Sequence, residues 1–328
     1  MKKIKIFTHT DLDGIGCAIV AKLAFDEVDV EYCDYKDVNG KVREFYLNDG
    51  DKLYDAVYIT DISVDDEVAE EINQIVSIDG KWKLFDHHAT ALNLNKYSWC
   101  LVSVMNDDEF ETKTSGTELF YKYLLHNRYF EKHTFYVKNN LARFVEIVRD
   151  YDTWRWKEEL GEDGIVCKQV NDIFHIYGRD KFIDWSIDKI RDRLGLEYPN
   201  FDDMDKFILE QKQKDIDIYI AKKNKQLINV IDNFGYTCGV VFAERFFSEL
   251  GNKLSELHPE LDYIAMIDIS YGGVSYRTTR DDIDLGGEIA HSFGGGGHRK
   301  AAGSTFDAER MKYLVMNDIF NLKNELIV

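Results

Sequence analysis

The stretch Trp82-Lys83-Leu84-Phe85-Asp86-His87-His88 joins a short apolar run to three consecutive side chains that can bind metals. Short apolar runs of this kind are typical of buried β-strands. The acidic and imidazole groups would therefore lie at the carboxyl end of a strand. In open α/β sheets, ligands bind in the crevice outside those ends. The stretch thus predicts an α/β fold with a ligand site at one edge of a parallel sheet.

Two upstream segments repeat this pattern. Residues 3–7 are followed by His9-Thr10-Asp11-Leu12-Asp13-Gly14, and residues 56–59 are followed by Asp61. Residues 28–32 predict a further strand, and residues 16–25 and 65–75 have the apolar spacing of helices. The resulting βαβαβ order favours a Rossmann-like N-terminal domain in which three strand ends bring their polar side chains together.

The side chains at these strand ends are those that bind divalent metals. If the chain leaves the first strand in an extended conformation, His9, Asp11 and Asp13 would lie on the same side. Asp61 could then bridge two ions, and His87 could complete the second. Carboxylates mixed with imidazole favour manganese or magnesium, with zinc, cobalt or iron as alternatives.

Two further roles are needed around such a site. Asp86, or a backbone group, could orient an imidazole ring by accepting its hydrogen bond. A further carboxylate is expected from Arg149-Asp150-Tyr151-Asp152, at the end of a helix predicted for residues 139–148. We select Asp150 as this additional metal ligand. The alternatives are that Asp150 only pairs with Arg149, and that Asp152 caps the next turn or serves as the ligand instead.

Length and composition are those of a globular protein. With 328 residues and 45% hydrophobic content, the chain is long enough for two domains. The net charge of −19 disfavours a protein that coats long nucleic acid, but not an enzyme that binds a few phosphates. Five scattered cysteines, with no Cys-x-x-Cys pair, support neither a disulfide framework nor a zinc knuckle. No membrane span or signal peptide is evident, so we expect a cytoplasmic protein.

Three segments are predicted along the chain: a catalytic domain (1–195), a helical linker (196–232) and a smaller α/β domain (233–328). Within the catalytic domain, residues 116–126 predict another helix. A long charged helix is predicted for residues 204–230. Strands are predicted for residues 236–242, 263–270 and 273–278.

The last domain ends with the cluster Gly294-Gly295-Gly296-Gly297-His298-Arg299. Consecutive glycines let the backbone approach a ligand and expose amide donors to an anion, especially before a helix N-terminus. Gly296 and Gly297 are therefore candidate phosphate-binding residues, with His298 and Arg299 beside them. Arg277 could add a bidentate clamp, and Arg280 is its rival.

Together these residues resemble the DHH phosphoesterase family with its associated C-terminal domain, and most closely its NrnB-type oligoribonucleases, or nano-RNases. The resemblance rests on Asp11-x-Asp13-Gly14, Asp61, the Asp86-His87-His88 triplet, an aspartate near residue 150 and the terminal glycine motif. It implies that His9, Asp11 and Asp61 hold one manganese ion. Asp13, Asp61, His87 and Asp150 would hold a second. His88 would face the scissile phosphate, supported by Asp86. Many family members place the first histidine four residues before the first aspartate, whereas His9 precedes Asp11 by two.

The resemblance also implies an activity, namely two-metal hydrolysis of short single-stranded RNA to mononucleotides. His298, the glycine backbone and Arg277 would hold the terminal nucleotide. Magnesium and cobalt are alternative ions, DNA oligonucleotides and dinucleotides are alternative substrates, and a homodimer is an alternative to a monomer. Competing activities are a RecJ-like DNA exonuclease and a hydrolase of cyclic dinucleotides or of 3'-phosphoadenosine 5'-phosphate. A degenerate nucleotide-binding sensor is the non-enzymatic alternative.

Overall fold

The computed structural model describes residues 2–107, 112–192 and 195–320, with backbone alone at residues 76–79. The chain divides into two compact units, Met1–Leu209 and Glu210–Val328. Each unit contains one β-sheet flanked by helices, as the sequence predicts. Among the described residues, no helix combines the length and the apolar composition needed to cross a bilayer.

The first unit alternates strands and helices before a helical second half. Its strands are β1 (Lys3–Thr8), β2 (Glu27–Tyr32), β3 (Ala56–Thr60), β4 (Trp82–Asp86) and β5 (Cys100–Val102). Its helices are α1 (Leu12–Ala24), α2 (Val38–Leu47), α3 (Asp66–Asp79), α4 (Gly116–His126), α5 (Phe135–Asp152), α6 (Arg155–Glu158), α7 (Ile165–Tyr177) and α8 (Arg179–Ile190). The helix α9 (Asp203–Asn224) passes from the first unit into the second.

The first sheet is parallel, in the order β2-β1-β3-β4-β5. Both faces are covered, so the central strands are apolar on both sides, which is typical of parallel sheets. One core contains Ile4, Ile6 and residues of α1, α4, α5, α7 and α8. The other contains Phe7, Ile59 and residues of α2 and α3. The four strands predicted from the sequence are confirmed, and their carboxyl ends lie along one edge.

The second unit has a mixed six-stranded sheet in the order β10-β11-β9-β8-β7-β6. Its elements are β6 (Ile228–Ile231), β7 (Thr237–Phe242), α10 (Phe247–Leu257), β8 (Tyr263–Asp268), β9 (Gly273–Arg277), a π-helical turn (Leu285–Ala290), β10 (Gly296–His298), β11 (Ala301–Thr305) and α11 (Ala308–Phe320). The helix predicted to reach residue 230 ends at Asn224, because the β-branched segment Ile228–Ile231 pairs with β7 instead.

Candidate metal centre

The turn from β1 into α1 brings the first three candidate ligands to the edge of the sheet. Asp11 caps α1 by accepting a hydrogen bond from the amide of Gly14 at 3.0 Å, and Asp13 lies in the first turn of the helix. The chain is extended at Asp11 and helical from Leu12, so the extended exit expected to continue through Asp13 ends at Asp11. A Cβ on Gly14 would lie 2.2 Å from the carbonyl oxygen of His9, so this sharp turn requires glycine.

Asp61 follows β3 and occupies the middle of the cluster. Its backbone is left-handed (φ 56°), a conformation that non-glycine residues rarely adopt outside turns and functional sites. The side chain is only 1% exposed. Burial, together with the nearby negative charges of Asp13 and Asp11, raises the pKa of Asp61 well above its usual value. Asp61 is therefore a buried carboxylate surrounded by acids.

One group of three potential ligands forms around His9. Its Nδ1 atom lies 2.9 Å from Asp11 Oδ2 and 3.8 Å from Asp61 Oδ2. The three ligand atoms of this group fall within 4.8 Å of one another, close enough for a single ion. The contact with Asp11 raises the pKa of His9. The structure thus places His9 beside Asp11 and Asp61 despite its unusual spacing in the sequence.

A second group forms around His87, at the end of β4. Its Nε2 atom lies 3.3 Å from Asp61 Oδ1, 3.5 Å from Asp152 Oδ2 and 3.7 Å from Asp13 Oδ2. Asp13, His87 and Asp152 also meet the spacing needed for one ion. Asp61 lies within 4 Å of both histidines, His9 and His87. The two groups are therefore adjacent and can share Asp61.

The carboxylate that α5 contributes to this cluster is Asp152, whereas the sequence analysis selects Asp150. Asp150 is buried and engaged by two arginines: Arg149 Nη2 lies 2.8 Å and Arg155 Nη1 3.2 Å from its Oδ1 atom. It therefore forms an ion pair, as one of the alternatives held. Burial, with the charges of Asp13 and Asp11, raises the pKa of Asp152 well above its usual value.

Two buried polar atoms of the cluster have no hydrogen-bond partner among the described residues: His9 Nδ1 and Asp61 Oδ2. The 2.9 Å contact of His9 with Asp11 lacks the alignment of a hydrogen bond. Buried polar atoms are normally paired, and buried carboxylates in close contact destabilise one another. A divalent cation would satisfy both atoms and neutralise the surrounding carboxylates. The residues of the centre thus fit a metal.

The N-terminus of α4 orients Asp13. The amides of Gly116 and Thr117 donate to the two carboxylate oxygens at 2.6 and 2.9 Å, and the Thr117 hydroxyl donates to the Asp13 carbonyl at 2.6 Å. A helix N-terminus is well suited to hold a carboxylate. The sequence analysis misses this support, although Ser115, which caps α4, marks where the helix begins.

His88 lies in a chain of hydrogen bonds at the rim of the cluster. Its Nδ1 atom is 2.7 Å from Asp86 Oδ1, and its Nε2 atom is 3.1 Å from the hydroxyl of Tyr35. The hydrogen bond with Asp86 raises the pKa of His88. Burial opposes ionisation of Asp86, but the contact with His88 holds the pKa of Asp86 below its usual value. Asp86 thus orients the ring, and the sequence analysis misses Tyr35.

A cavity of about 370 Å³ lies beside His88. Tyr35, Ser63, Asp86 and Thr90 line it together with the first turn of α3. The hydroxyl of Ser63 also donates to Asp86. The His88 imidazole therefore lies between the acidic cluster and an open cavity, where a bound molecule could reach it.

The glycine cluster of the second unit forms a β-hairpin between β10 and β11. Gly297 has a φ of 139°, and a Cβ there would lie 2.7 Å from Ala302 Cα, so the hairpin requires glycine at this position. Gly296, Gly297, His298 and Arg299 are all exposed. Their backbone and side chains are thus accessible to a ligand.

Arg277 lies in line with this hairpin. Ala301 pairs with His298 on one side and with Arg277 on the other, so the three residues share one row across the sheet. The Arg277 guanidinium donates to the Tyr276 carbonyl at 2.8 Å and to the Ser248 hydroxyl at 3.2 Å. Burial lowers the pKa of Arg277. Within the described ranges, no carboxylate lies within ion-pair distance of it.

The rival, Arg280, is bound in ion pairs at the surface with Asp262 and, through Nη2 at 2.6 Å, with Asp282. Its charge is therefore already neutralised by two carboxylates. Arg277 lies in the row that contains His298 and makes no ion pair within 4 Å in the described ranges, although the charge of Glu249 acts on it. Of the two arginines, Arg277 is thus the better placed to hold an anion.

Solved structures share this fold. A DHH domain described as a member of the s1p family of ribosomal proteins is 14% identical, with a TM-score of 0.58 over 98% of this chain and 87% of that one. The exonuclease RecJ bound to manganese is also 14% identical, with a TM-score of 0.52 over 98% of this chain and 91% of that one. At these identities the likeness concerns the fold alone.

Sequence comparison is more specific. No protein-family model matches the chain. However, oligoribonuclease NrnB of Bacillus subtilis (strain 168) is 38% identical over 306 residues, which cover 93% of this chain and 73% of that protein. The chain belongs to the DHH phosphoesterase family. The triplet Asp86-His87-His88 of this DHH protein begins at the last residue of β4, where its side chains lie beside Asp61. This DHH protein is thus a metal-dependent phosphoester hydrolase.

Proposed function

We propose that this DHH protein is a two-metal phosphodiesterase that hydrolyses short RNA oligonucleotides to mononucleotides. The observation that carries the proposal is the position of Asp61 between two groups of ligands, with one buried oxygen that lacks a hydrogen bond. The 38% identity to the oligoribonuclease NrnB supports RNA as the substrate.

The proposed ligands fall into two sets that share Asp61. His9 and Asp11 complete the first set; Asp13, His87 and Asp152 complete the second, with Asp152 replacing Asp150. Manganese suits this mixture of carboxylates and imidazoles, and magnesium or cobalt would be tolerated. When bound, such ions supply Lewis acidity and neutralise phosphate charge for an in-line displacement at phosphorus.

We assign His88 to the scissile phosphate. Asp86 accepts the hydrogen bond from Nδ1, which leaves the Nε2 atom of the ring turned toward the Tyr35 hydroxyl and the cavity. Because Asp86 raises the pKa of His88, the ring can be protonated and donate from Nε2 to a phosphate oxygen. Tyr35 would give up its contact with His88 when the phosphate binds.

We assign the second unit to the substrate's terminal nucleotide. The exposed hairpin at Gly296 and Gly297 and the side chains of His298 and Arg299 offer hydrogen-bond donors to a phosphate. Arg277 offers a positive charge in the same row. This small set of donors suits a short anionic chain, in keeping with the net charge of −19.

The test is product analysis on a denaturing gel. Purified protein with manganese is incubated with end-labelled RNA of two, five and twenty-four nucleotides and with matching DNA. We expect the short RNAs to be converted to mononucleotides first. The variant Asp61→Ala should be inactive, and Asp180→Ala, which removes an exposed carboxylate on α8, should match the wild type. Faster loss of the long DNA would contradict the proposal.

A further inference from the structure

Trp154 has an unusual backbone for a bulky residue. Its φ is 62°, in the left-handed region, where L-residues with large side chains are strongly disfavoured. Local hydrogen bonds hold this conformation: the Trp154 amide donates to the carbonyl of Tyr151 at 3.2 Å, and its carbonyl accepts from the amides of Lys157 and Glu158 at 3.1 Å. Such strain is concentrated at functional sites, so it calls for a functional explanation.

The side chain of Trp154 is also unusually exposed, at 44% of its surface. Its ring stacks on that of Trp156, with centroids 6.1 Å apart and planes 25° apart. The Trp156 ring stacks in turn on Tyr151, at 6.1 Å and 15°. Three nearly parallel rings therefore form a stack with Trp154 at one end. In the described part of the chain, no other aromatic ring covers Trp154.

This stack lies next to the metal centre in the chain. Asp152 ends α5, Thr153 is the C-cap of that helix, and Trp154 is the N-cap of α6. Two peptide units separate the Cα atoms of Asp152 and Trp154 by about 7 Å at most. That separation is comparable to the distance from a phosphate to the base of the same nucleotide. The backbone separation is therefore short enough for the Trp154 ring to reach a base next to a phosphate bound at the cluster.

We propose that Trp154 is a substrate-binding residue whose exposed ring stacks on a nucleobase of the bound oligonucleotide. The inference rests on the proposed function and extends it. The base would add a fourth ring to the stack of Tyr151, Trp156 and Trp154. Because every base has a π-face, such a platform binds bases with little regard to sequence. It would let the enzyme degrade short RNAs of any sequence, as complete conversion to mononucleotides requires.

The experiment compares the wild type with Trp154→Ala, Trp154→Phe and Phe135→Ala. Phe135 is a matched control because it is an exposed aromatic residue at the opposite end of α5, about 25 Å from Asp152 along the helix. The substrates are the diribonucleotide pApA and two analogues that each lack one base but keep the ribose and phosphates. KM and kcat are measured with manganese, and melting temperatures report folding.

We expect Trp154→Ala to raise KM for pApA roughly tenfold, with kcat little changed. Trp154→Phe should recover most of the affinity, and Phe135→Ala should match the wild type. The wild type should bind one of the two analogues more weakly than pApA, and Trp154→Ala should no longer distinguish that analogue from pApA. This loss of discrimination would attribute the effect to the base.

Two results would overturn the inference, and only one of them would also overturn the proposed function. If the wild type hydrolyses pApA but Trp154→Ala has an unchanged KM, or raises KM equally for all three substrates, the stacking role is refuted while the proposed function stands. If the wild type hydrolyses neither pApA nor the analogues, the proposed function fails and the stacking role fails with it.

Discussion

Replacing Asp61 with asparagine should stabilise the metal-free protein, although it removes a ligand that we assign to both ions. Asp61 is 1% exposed, and one of its oxygens has no hydrogen-bond partner among the described residues. Burial and the charges of Asp13 and Asp11 raise the pKa of Asp61, so its ionised form is destabilising. Asparagine has nearly the same size, carries no charge and tolerates the left-handed backbone at this position.

The size of the effect follows from the penalty for burying an ionised carboxylate beside other acids, which asparagine removes and which we take as about 2 kcal/mol, the low end for a buried ion in proteins. For a unit of the size of Met1–Leu209, that corresponds to a rise in melting temperature of roughly 4–8 °C. Because the folded-state pKa of Asp61 is raised, the wild type is most stable below the unfolded pKa, and it loses stability as pH rises through the folded pKa. The advantage of Asp61→Asn should therefore be present at neutral pH and vanish in acid.

Asp205→Asn is the matched control. Asp205 is equally buried, but it accepts hydrogen bonds from Tyr177 at 2.8 Å and from Trp185 at 3.1 Å, and Lys189 lies 3.1 Å away. Its ionised form is thus stabilised by its partners, and the asparagine variant should lower the melting temperature.

The assay is differential scanning calorimetry of the wild type and both variants, in EDTA and in manganese. Manganese should raise the melting temperature of the wild type and of Asp205→Asn, because ligands that bind only the folded state stabilise it. It should have little effect on Asp61→Asn. A lower melting temperature of Asp61→Asn in EDTA, or full stabilisation of that variant by manganese, would refute the reasoning.

Further substitutions test the other assignments. Asp152→Ala should lower kcat roughly a hundredfold or more. Asp150→Asn should keep most activity but lose about 2 kcal/mol of stability, because the two arginines that contact Asp150 lose their charged partner. Steady-state kinetics and thermal melts distinguish the two variants. Asp86→Asn should lower kcat roughly 10–100-fold. It should also shift the alkaline limb of the pH–kcat profile to lower pH, because His88 loses the hydrogen bond with Asp86 that raises the pKa of His88. Arg277→Lys should raise KM for pApA roughly tenfold or more, while Arg280→Lys should not; equal effects of the two would contradict the assignment of the phosphate clamp.

The strand ends of the first unit could be predicted because their signals are local. Each of β1, β3 and β4 is a short apolar run followed directly by the polar side chains of the site. In a parallel sheet, the side chains at such ends must converge on one edge. The fold class and most residues of the acidic cluster can therefore be predicted from the sequence.

The choice between Asp150 and Asp152 could not be made from the sequence. Both lie in the last turn of α5, and residues two apart on a helix point in directions about 200° apart. Which one faces the cluster depends on how α5 packs and on Arg155, which approaches Asp150 from α6. Neither the packing of α5 nor the approach of Arg155 can be predicted from the sequence around Asp150. The contacts of Asp13 with Gly116 and Thr117, over a hundred residues away, are equally invisible.

The second unit shows where composition misleads. A glycine run is compatible with a phosphate loop before a helix and with a tight hairpin, since both require unusual backbone angles. In the structure Gly297 pairs with Ala302, so the glycine run forms a hairpin and not a phosphate loop before a helix. Similarly, the charged helix α9 is followed by Ile228–Ile231, whose β-branched residues pair with β7 only because the sheet is there to receive them.

The central claim is that two ions share Asp61, and the most direct test is the number of manganese ions bound per chain. Equilibrium dialysis of the metal-free wild type against manganese, with the bound metal quantified by electron paramagnetic resonance after acid release, gives that number. We predict two ions per wild-type chain, and none held at the same concentration by Asp61→Ala. A wild type that is fully active with a single bound ion, or an Asp61→Ala variant that keeps both ions, would contradict the claim.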